Sequence, residues 1–212
     1  MRSEELNLIK KELKRNKSIL MVGHNRSYAN SLMRLKENLS GNKVIQYTVN
    51  AGFISLDHWV QNEQGGGRII GECVHFIDLI LYLTDSEIKN IPFNKMSSVN
   101  DKYIDEDNFS LNIELKNGDL ANLIYTSMGS KNLAKENIKV FNNGNTFELK
   151  DFVELFDYNK NSVLYKGKQD KGHLDELIVL KDALISNDLN NVNKRLNLAI
   201  AATELALQMI KK

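Results

Sequence analysis

One cysteine, Cys73, and one proline, Pro92, occur in the 212 residues. A lone thiol excludes an internal disulfide, which fits a reducing compartment. Charge of one sign is missing too: 28 Lys+Arg stand against 27 Asp+Glu. That balance leaves no basic face of the kind a polyanion needs, so nucleic acid is not an expected partner. Basic runs such as Lys10-Lys11 with Lys14-Arg15 read as the solvated side of a helix. No apolar run approaches the length of a membrane span. The opening Met1-Arg2-Ser3-Glu4-Glu5-Leu6 is charged and amphipathic, unlike a secretory leader. A soluble cytoplasmic protein with no membrane partner is expected.

What is present is globular: 42% hydrophobic and 26% charged residues give enough apolar side chain for a core and too little charge for disorder. Residues 3–16 read as a helix capped by Ser3, with Leu6, Ile9 and Leu13 on one face. Ser18 to Val22 is a short apolar run ended by Gly23, the pattern of a buried strand. A second amphipathic helix is expected over 29–39, stopping at Ser40-Gly41-Asn42. Val44 to Val49 reads as a strand, 50–67 as a long loop, and Arg68 to Leu83 as an apolar helix. Phe109 to Leu115 and Leu120 to Thr126 alternate around Asn117-Gly118, a strong hairpin signal. Further strands are expected over 137–141, 146–149, 152–157 and 162–166, and helices over 173–186 and 192–210. The fold class is α+β: one open, mostly antiparallel sheet with helices on one face. Its other face must be solvated or meet a partner.

The densest chemistry lies in Gly65-Gly66-Gly67-Arg68 through Asp78. At about 100° per residue, Arg68, Glu72 and His75 fall within roughly 60° on an α-helix. Burying such groups costs several kcal/mol unless they are paired or face a cavity. A cleft lined by all three meets that demand, and the glycines permit close backbone approach to a ligand. A second reading stands beside it: His75 as a core histidine, and Arg68 with Glu72 as a plain i,i+4 pair. Histidines at 24, 58, 75 and 173 show no metal-ligand spacing, so no metal is expected. Asp57-His58-Trp59 in the loop either contacts a ligand or packs on the surface. No nucleophile motif of the Ser–His–Asp kind is present.

The stretch Gly65 through His75-Phe76-Ile77-Asp78 resembles the helix that carries the active-site histidine in the Gfo/Idh/MocA oxidoreductase family. Leu20 through Tyr28 is similar to that family's crossover from its nucleotide-binding domain. Gly172-His173-Leu174 and Leu196 through Leu205 resemble its closing helices. The resemblance implies residues 1–24 as the remnant of a dinucleotide-binding domain and 25–212 as the C-terminal α+β domain. It implies His75 as general acid/base or orienting group at a substrate hydroxyl. The family's frequent Asp one turn earlier is Gly71 here, so Glu72 either supplies the carboxylate or none does. Asn25, Arg26, Tyr28, Asp57, His58, Trp59 and Arg68 would contact substrate. No Gly-x-Gly-x-x-Gly follows a strand, and no Glu-Lys-Pro occurs, so no cofactor is expected on this chain alone. The resemblance implies NAD or NADP in the intact enzyme, with the nucleotide-binding domain either on a separate Rossmann subunit or missing from this chain by truncation or loss. The expected function is the substrate-binding and oligomerisation half of an NAD(P)-dependent oxidoreductase acting on a sugar or sugar-nucleotide hydroxyl, inactive alone. The alternative is a non-catalytic small-molecule-binding or dimerisation domain. The partners expected are a sugar-like small molecule, further copies of the chain in a homodimer or higher oligomer through the open sheet face, and, where the enzyme is split, a separate Rossmann subunit.

Overall fold

A computed structural model describes residues 1–16, 18–62, 65–97 and 104–210. Among these residues are five α-helices and nine strands: α1 (Ser3–Arg15), α2 (Asn30–Glu37), β1 (Lys43–Asn50), α3 (Val74–Thr84), β2 (Ile88–Asn90), β3 (Phe93–Lys95), β4 (Phe109–Leu115), β5 (Leu120–Thr126), β6 (Glu136–Asn142), β7 (Asn145–Lys150), β8 (Glu154–Asp157), β9 (Ser162–Lys166), α4 (His173–Ser186) and α5 (Asn190–Met209). The strands form one open sheet in the order β2-β4-β5-β1-β6-β7-β8-β9, with β3 also paired to β4. Only β1 and β5 run parallel; the other pairs are antiparallel. The α+β class expected above is the observed one.

Two-residue alternation decides which side of the sheet is covered. In β1, Ile45, Tyr47 and Val49 are fully buried while Val44 and Gln46 are exposed. Leu123 and Tyr125 of β5 and Ile138 and Val140 of β6 continue the buried face. Phe76, Ile77, Leu79 and Ile80 of α3 join them in a single core with Ala202, Leu205 and Ala206 of α5. The β4–β5 hairpin turns at Asn117-Gly118, where Gly118 has φ 89°.

Three local expectations change. Ser18 to Val22 is not a strand, because it pairs with no neighbour among the described residues; Ser18 and Ile19 are exposed. Arg2 rather than Ser3 caps α1, its backbone N–H donating to Glu5 Oε2 at 2.7 Å. The helix expected from Arg68 is not uniform: Ile69–Cys73 is a π-helix, and regular α-helix starts at Val74. Among the described residues no helix is long and apolar enough to cross a membrane.

Candidate functional site

The chain enters the π-segment through three glycines with different jobs. Gly66 and Gly67 both have φ 72°, a left-handed conformation that glycine adopts without strain. Gly65 is packed: a Cβ there would lie 2.4 Å from Val60 Cα. At Gly65 the chain's own loop leaves no room for a side chain, whereas nothing lies within 4 Å of a Cβ at Gly67. Beyond it, π-type i→i+5 bonding widens the turn. The polar residues consequently separate into two clusters instead of sharing one ridge.

The first cluster surrounds Arg68, which is 2% exposed. Its Nη1 donates to Tyr125 Oη at 2.8 Å and its Nη2 to the Gly52 carbonyl at 2.6 Å. Asp107 Oδ2 lies 3.5 Å from Nε, and Glu72 Oε1 lies 3.5 Å from Nη1. Glu72 also accepts from Tyr125 Oη at 3.1 Å and lies 3.5 Å from Lys135 Nζ. Burial pushes the Tyr125 phenol and the Asp107 carboxyl above their ordinary ranges. These partners neutralise one another, so the cluster holds the loop, β5 and the π-segment together.

The second cluster surrounds His75. Its ring centroid is 4.9 Å from that of His24, with planes at 57°. His75 is half-buried, and neither ring nitrogen has a hydrogen-bond partner among the described residues. Beside it the Arg26 guanidinium lies 4.8 Å from the Phe76 ring centroid and donates to Glu136 at 2.8 and 3.0 Å. Glu136 accepts from Lys171 Nζ at 2.6 Å and from Tyr47 Oη at 2.5 Å. Burial, with the nearby charge of Arg26 and then His24, lowers the His75 pKa to about 3. Burial alone would raise that of Glu136, but Arg26 and Lys171 bring it down to about 2. The site thus presents a neutral imidazole whose nitrogens are committed to no protein group among the described residues. Among the described residues no three His, Cys, Asp or Glu side chains are grouped to hold a metal.

The profile of the Gfo/Idh/MocA oxidoreductase family, C-terminal alpha/beta domain, matches residues 36–162. The chain belongs to this family. UDP-N-acetylglucosamine 3-dehydrogenase GnnA from Acidithiobacillus ferrooxidans superposes with a TM-score of 0.76 at 20% identity, covering 97% of this chain and 65% of that one. An oxidoreductase from Thermotoga maritima gives 0.78 at 12% identity, covering 99% and 65%. A dehydrogenase (MviM) from Clostridium difficile gives 0.69 at 20% identity, covering 99% and 67%. The chain spans about two thirds of the length of these structures. No curated protein matches the sequence.

Of the residues expected to serve a Gfo/Idh/MocA site, the fold brings Arg26 beside His75 and leaves the others apart. Asn25 donates through Nδ2 to the Lys171 carbonyl at 2.8 Å, pinning the Asn25–Tyr28 turn to the chain before α4. Tyr28 is buried under the Arg195 guanidinium, and burial raises its pKa to about 12. Arg68 and Glu72 belong to the neighbouring ion cluster. Asp57, His58 and Trp59 are exposed; His58 Nδ1 accepts from the Val60 N–H at 3.3 Å, and the His58 and Trp59 rings stand 6.0 Å apart. Nothing in this geometry joins them to His75.

The residues that shape the site most were not singled out. Glu136 is fixed by side chains 110, 89 and 35 positions away in sequence, a distance no local pattern spans. His24 lay within the crossover segment, and Asp78 three residues after His75 shares its helix. The i,i+3 spacing was the available signal for Asp78.

Proposed function

We propose that this chain is the substrate-binding and oligomerisation half of an NAD(P)-dependent oxidoreductase acting on a secondary hydroxyl of a sugar or sugar nucleotide, inactive alone. The observation that carries this reading is His75, a half-buried imidazole kept neutral, for which no hydrogen-bond partner is found among the described residues. A neutral imidazole accepts a hydrogen bond from an alcohol and so orients the hydroxyl whose carbon is to be oxidised. Its low proton affinity favours orientation over final storage of the proton. Burial keeps the ring uncharged, and Arg26, already paired with Glu136, adds to that effect.

NAD(P) would supply the hydride chemistry from a nucleotide-binding subunit, since no Gly-x-Gly-x-x-Gly follows a strand in this chain. Exposed apolar residues on α4 support such a partner: Leu174, Leu177, Leu184 and Ile185 are 53–78% exposed. The open sheet face supports a second copy of the chain. A sugar nucleotide as substrate accords with the structural likeness to the UDP-N-acetylglucosamine 3-dehydrogenase GnnA.

Titrating the chain with NAD(P)H should leave its fluorescence unchanged. Mixing it with a nucleotide-binding subunit, NAD(P)+ and a panel of UDP-sugars should produce NAD(P)H, and His75→Ala should lower that rate about 10²–10⁴-fold. Full activity in His75→Ala defeats the reading. One observation favours a non-catalytic binding domain instead: Glu72 is fully engaged with Arg68, Lys135 and Tyr125 and does not reach His75. Saturable UDP-sugar binding with no turnover in any mixture would select that alternative.

A further inference from the structure

A cavity of about 630 Å³ opens where β1 ends, between residues 50–53 and the turn over 129–135 that leads from β5 into β6. That size lies within the range of small-molecule sites. Two of its lining residues tie it to the clusters described above. Asp151 Oδ1 lies 3.8 Å from Lys171 Nζ, which donates to Glu136, and Lys135 Nζ lies 3.5 Å from Glu72. The cavity therefore adjoins both the Arg26–Glu136 pair and the Arg68 cluster.

The charges around it do not cancel. Arg68 is matched by Glu72 and Asp107, Arg26 by Glu136, Lys135 by Glu72, and Lys171 by Glu136 and Asp151. Lys131 is the cation left over: it lines the cavity, is exposed, and makes no ion pair among the described residues. The turn that carries it is fixed from beneath. Asn50, 7% exposed, donates through Nδ2 to the Ser130 carbonyl at 2.8 Å and the Leu133 carbonyl at 3.2 Å. Gly129 makes room for that amide, since a Cβ there would lie 2.0 Å from Asn50 Oδ1. Within the turn the Asn132 N–H donates to Ser130 Oγ and the Leu133 N–H to the Ser130 carbonyl. The backbone N–H groups of Lys131 and Ala134 have no acceptor among the described residues. A cavity wall thus carries an unmatched ammonium and unused N–H donors on a backbone held in place. Its one carboxylate, Asp151, is already beside Lys171. Spare donors with one spare positive charge suit a ligand group that only accepts and is negative.

We propose that this cavity is an anion subsite, in which Lys131 and the turn over 129–135 bind the phosphoryl group of a sugar phosphate or a sugar nucleotide. That the same molecule presents a hydroxyl to His75 rests on the function proposed above; binding of the phosphoryl group does not.

The test is calorimetric titration of the full chain at low ionic strength with UDP, glucose 1-phosphate and uridine, with ¹⁵N amide shifts to locate the ligand. UDP, glucose 1-phosphate or both should bind, uridine should bind far more weakly, and the shifts should gather over residues 129–135. Lys131→Ala should weaken binding at least about tenfold, and Lys131→Arg should restore most of it. Lys11→Ala on α1 removes the same charge from another exposed position and should change nothing. Tight binding of glucose 1-phosphate supports a sugar phosphate as the ligand, and binding of UDP alone a sugar nucleotide. Binding of neither overturns the proposal, as does equal affinity in Lys131→Ala or uridine binding as tightly as UDP. Lys131 is exposed, so its variants should fold. No turnover is needed for the readout: a chain that binds UDP in this way but turns over in no mixture keeps the subsite and loses the oxidoreductase reading.

Discussion

Glu136 is the residue on which the interior of the site turns. Its carboxylate, 1% exposed, is held by two cations and a phenol. Replacing it with Gln leaves Arg26 without its carboxylate and Lys171 with only Asp151, 3.8 Å away, and breaking a buried pair this way costs about 3–5 kcal/mol. Its folded pKa of about 2 lies below the ordinary 4.5, so the stabilisation is complete above about pH 4.5 and drains as pH falls toward 2. His75 works in the same direction higher up the scale. Folded, it titrates near 3 against an ordinary 6.5, so below about pH 6.5 the unfolded chain binds a proton the folded chain refuses. Urea denaturation at half-unit pH steps should therefore show wild-type stability falling relative to His75→Phe between about pH 6.5 and 4. Relative to Glu136→Gln, the fall should concentrate below about pH 4.5. Parallel profiles for a variant and the wild type would mean that the residue does not titrate differently on folding.

At the scale of elements, the arrangement depends on how the chain enters α3 and α4. Gly172 precedes α4 with φ 82°, and a Cβ there would meet Ala29 N and Asn25 O at 2.5 Å. The glycine thus lets α4 press against the turn that carries Arg26. Gly67 has a similar φ, 72°, with nothing within 4 Å of its Cβ position. Gly67→Ala should cost only the left-handed strain, about 1–2 kcal/mol. Gly172→Ala should cost clearly more and shift the Arg26 and His75 resonances. Equal losses of Tm in the two variants would show that the close approach contributes nothing.

Elements of this kind also mark where the sequence could be read. The Asn117-Gly118 hairpin and the alternating strands around it were legible because their pairing is local and their period is two. The apolar helix after the glycines was legible as a helix, but over five residues a π-turn and an α-turn carry the same apolar pattern. Hence Arg68, Glu72 and His75 were expected on one ridge and occupy two clusters. The strands β2 and β3, three residues each, are too short to show a period. Ser18 to Val22 had a strand's composition, but composition cannot supply the neighbour that a strand requires.

For the whole molecule, the sheet face opposite the helices is mixed in a way that simple solvation does not require. Val44 pairs in register with Leu120 on one side and Phe141 on the other, and all three are 44–48% exposed. The adjoining row is polar, running Asn112, Asn122, Gln46 and Lys139 across four strands. An apolar band beside a polar one suits packing against a second copy, which a twofold axis would bring apolar to apolar. Sedimentation of the full chain should accordingly give the mass of a dimer, and Phe141→Lys should shift it to one chain without loss of β-sheet circular dichroism. The α4 surface is argued to serve a different partner. Leu177→Lys should leave the mass unaltered while abolishing whatever activity a nucleotide-binding subunit restores. If Leu177→Lys dissociates the dimer and Phe141→Lys does not, the two surfaces have been assigned the wrong way round, because each charge is buried only where a partner covers it.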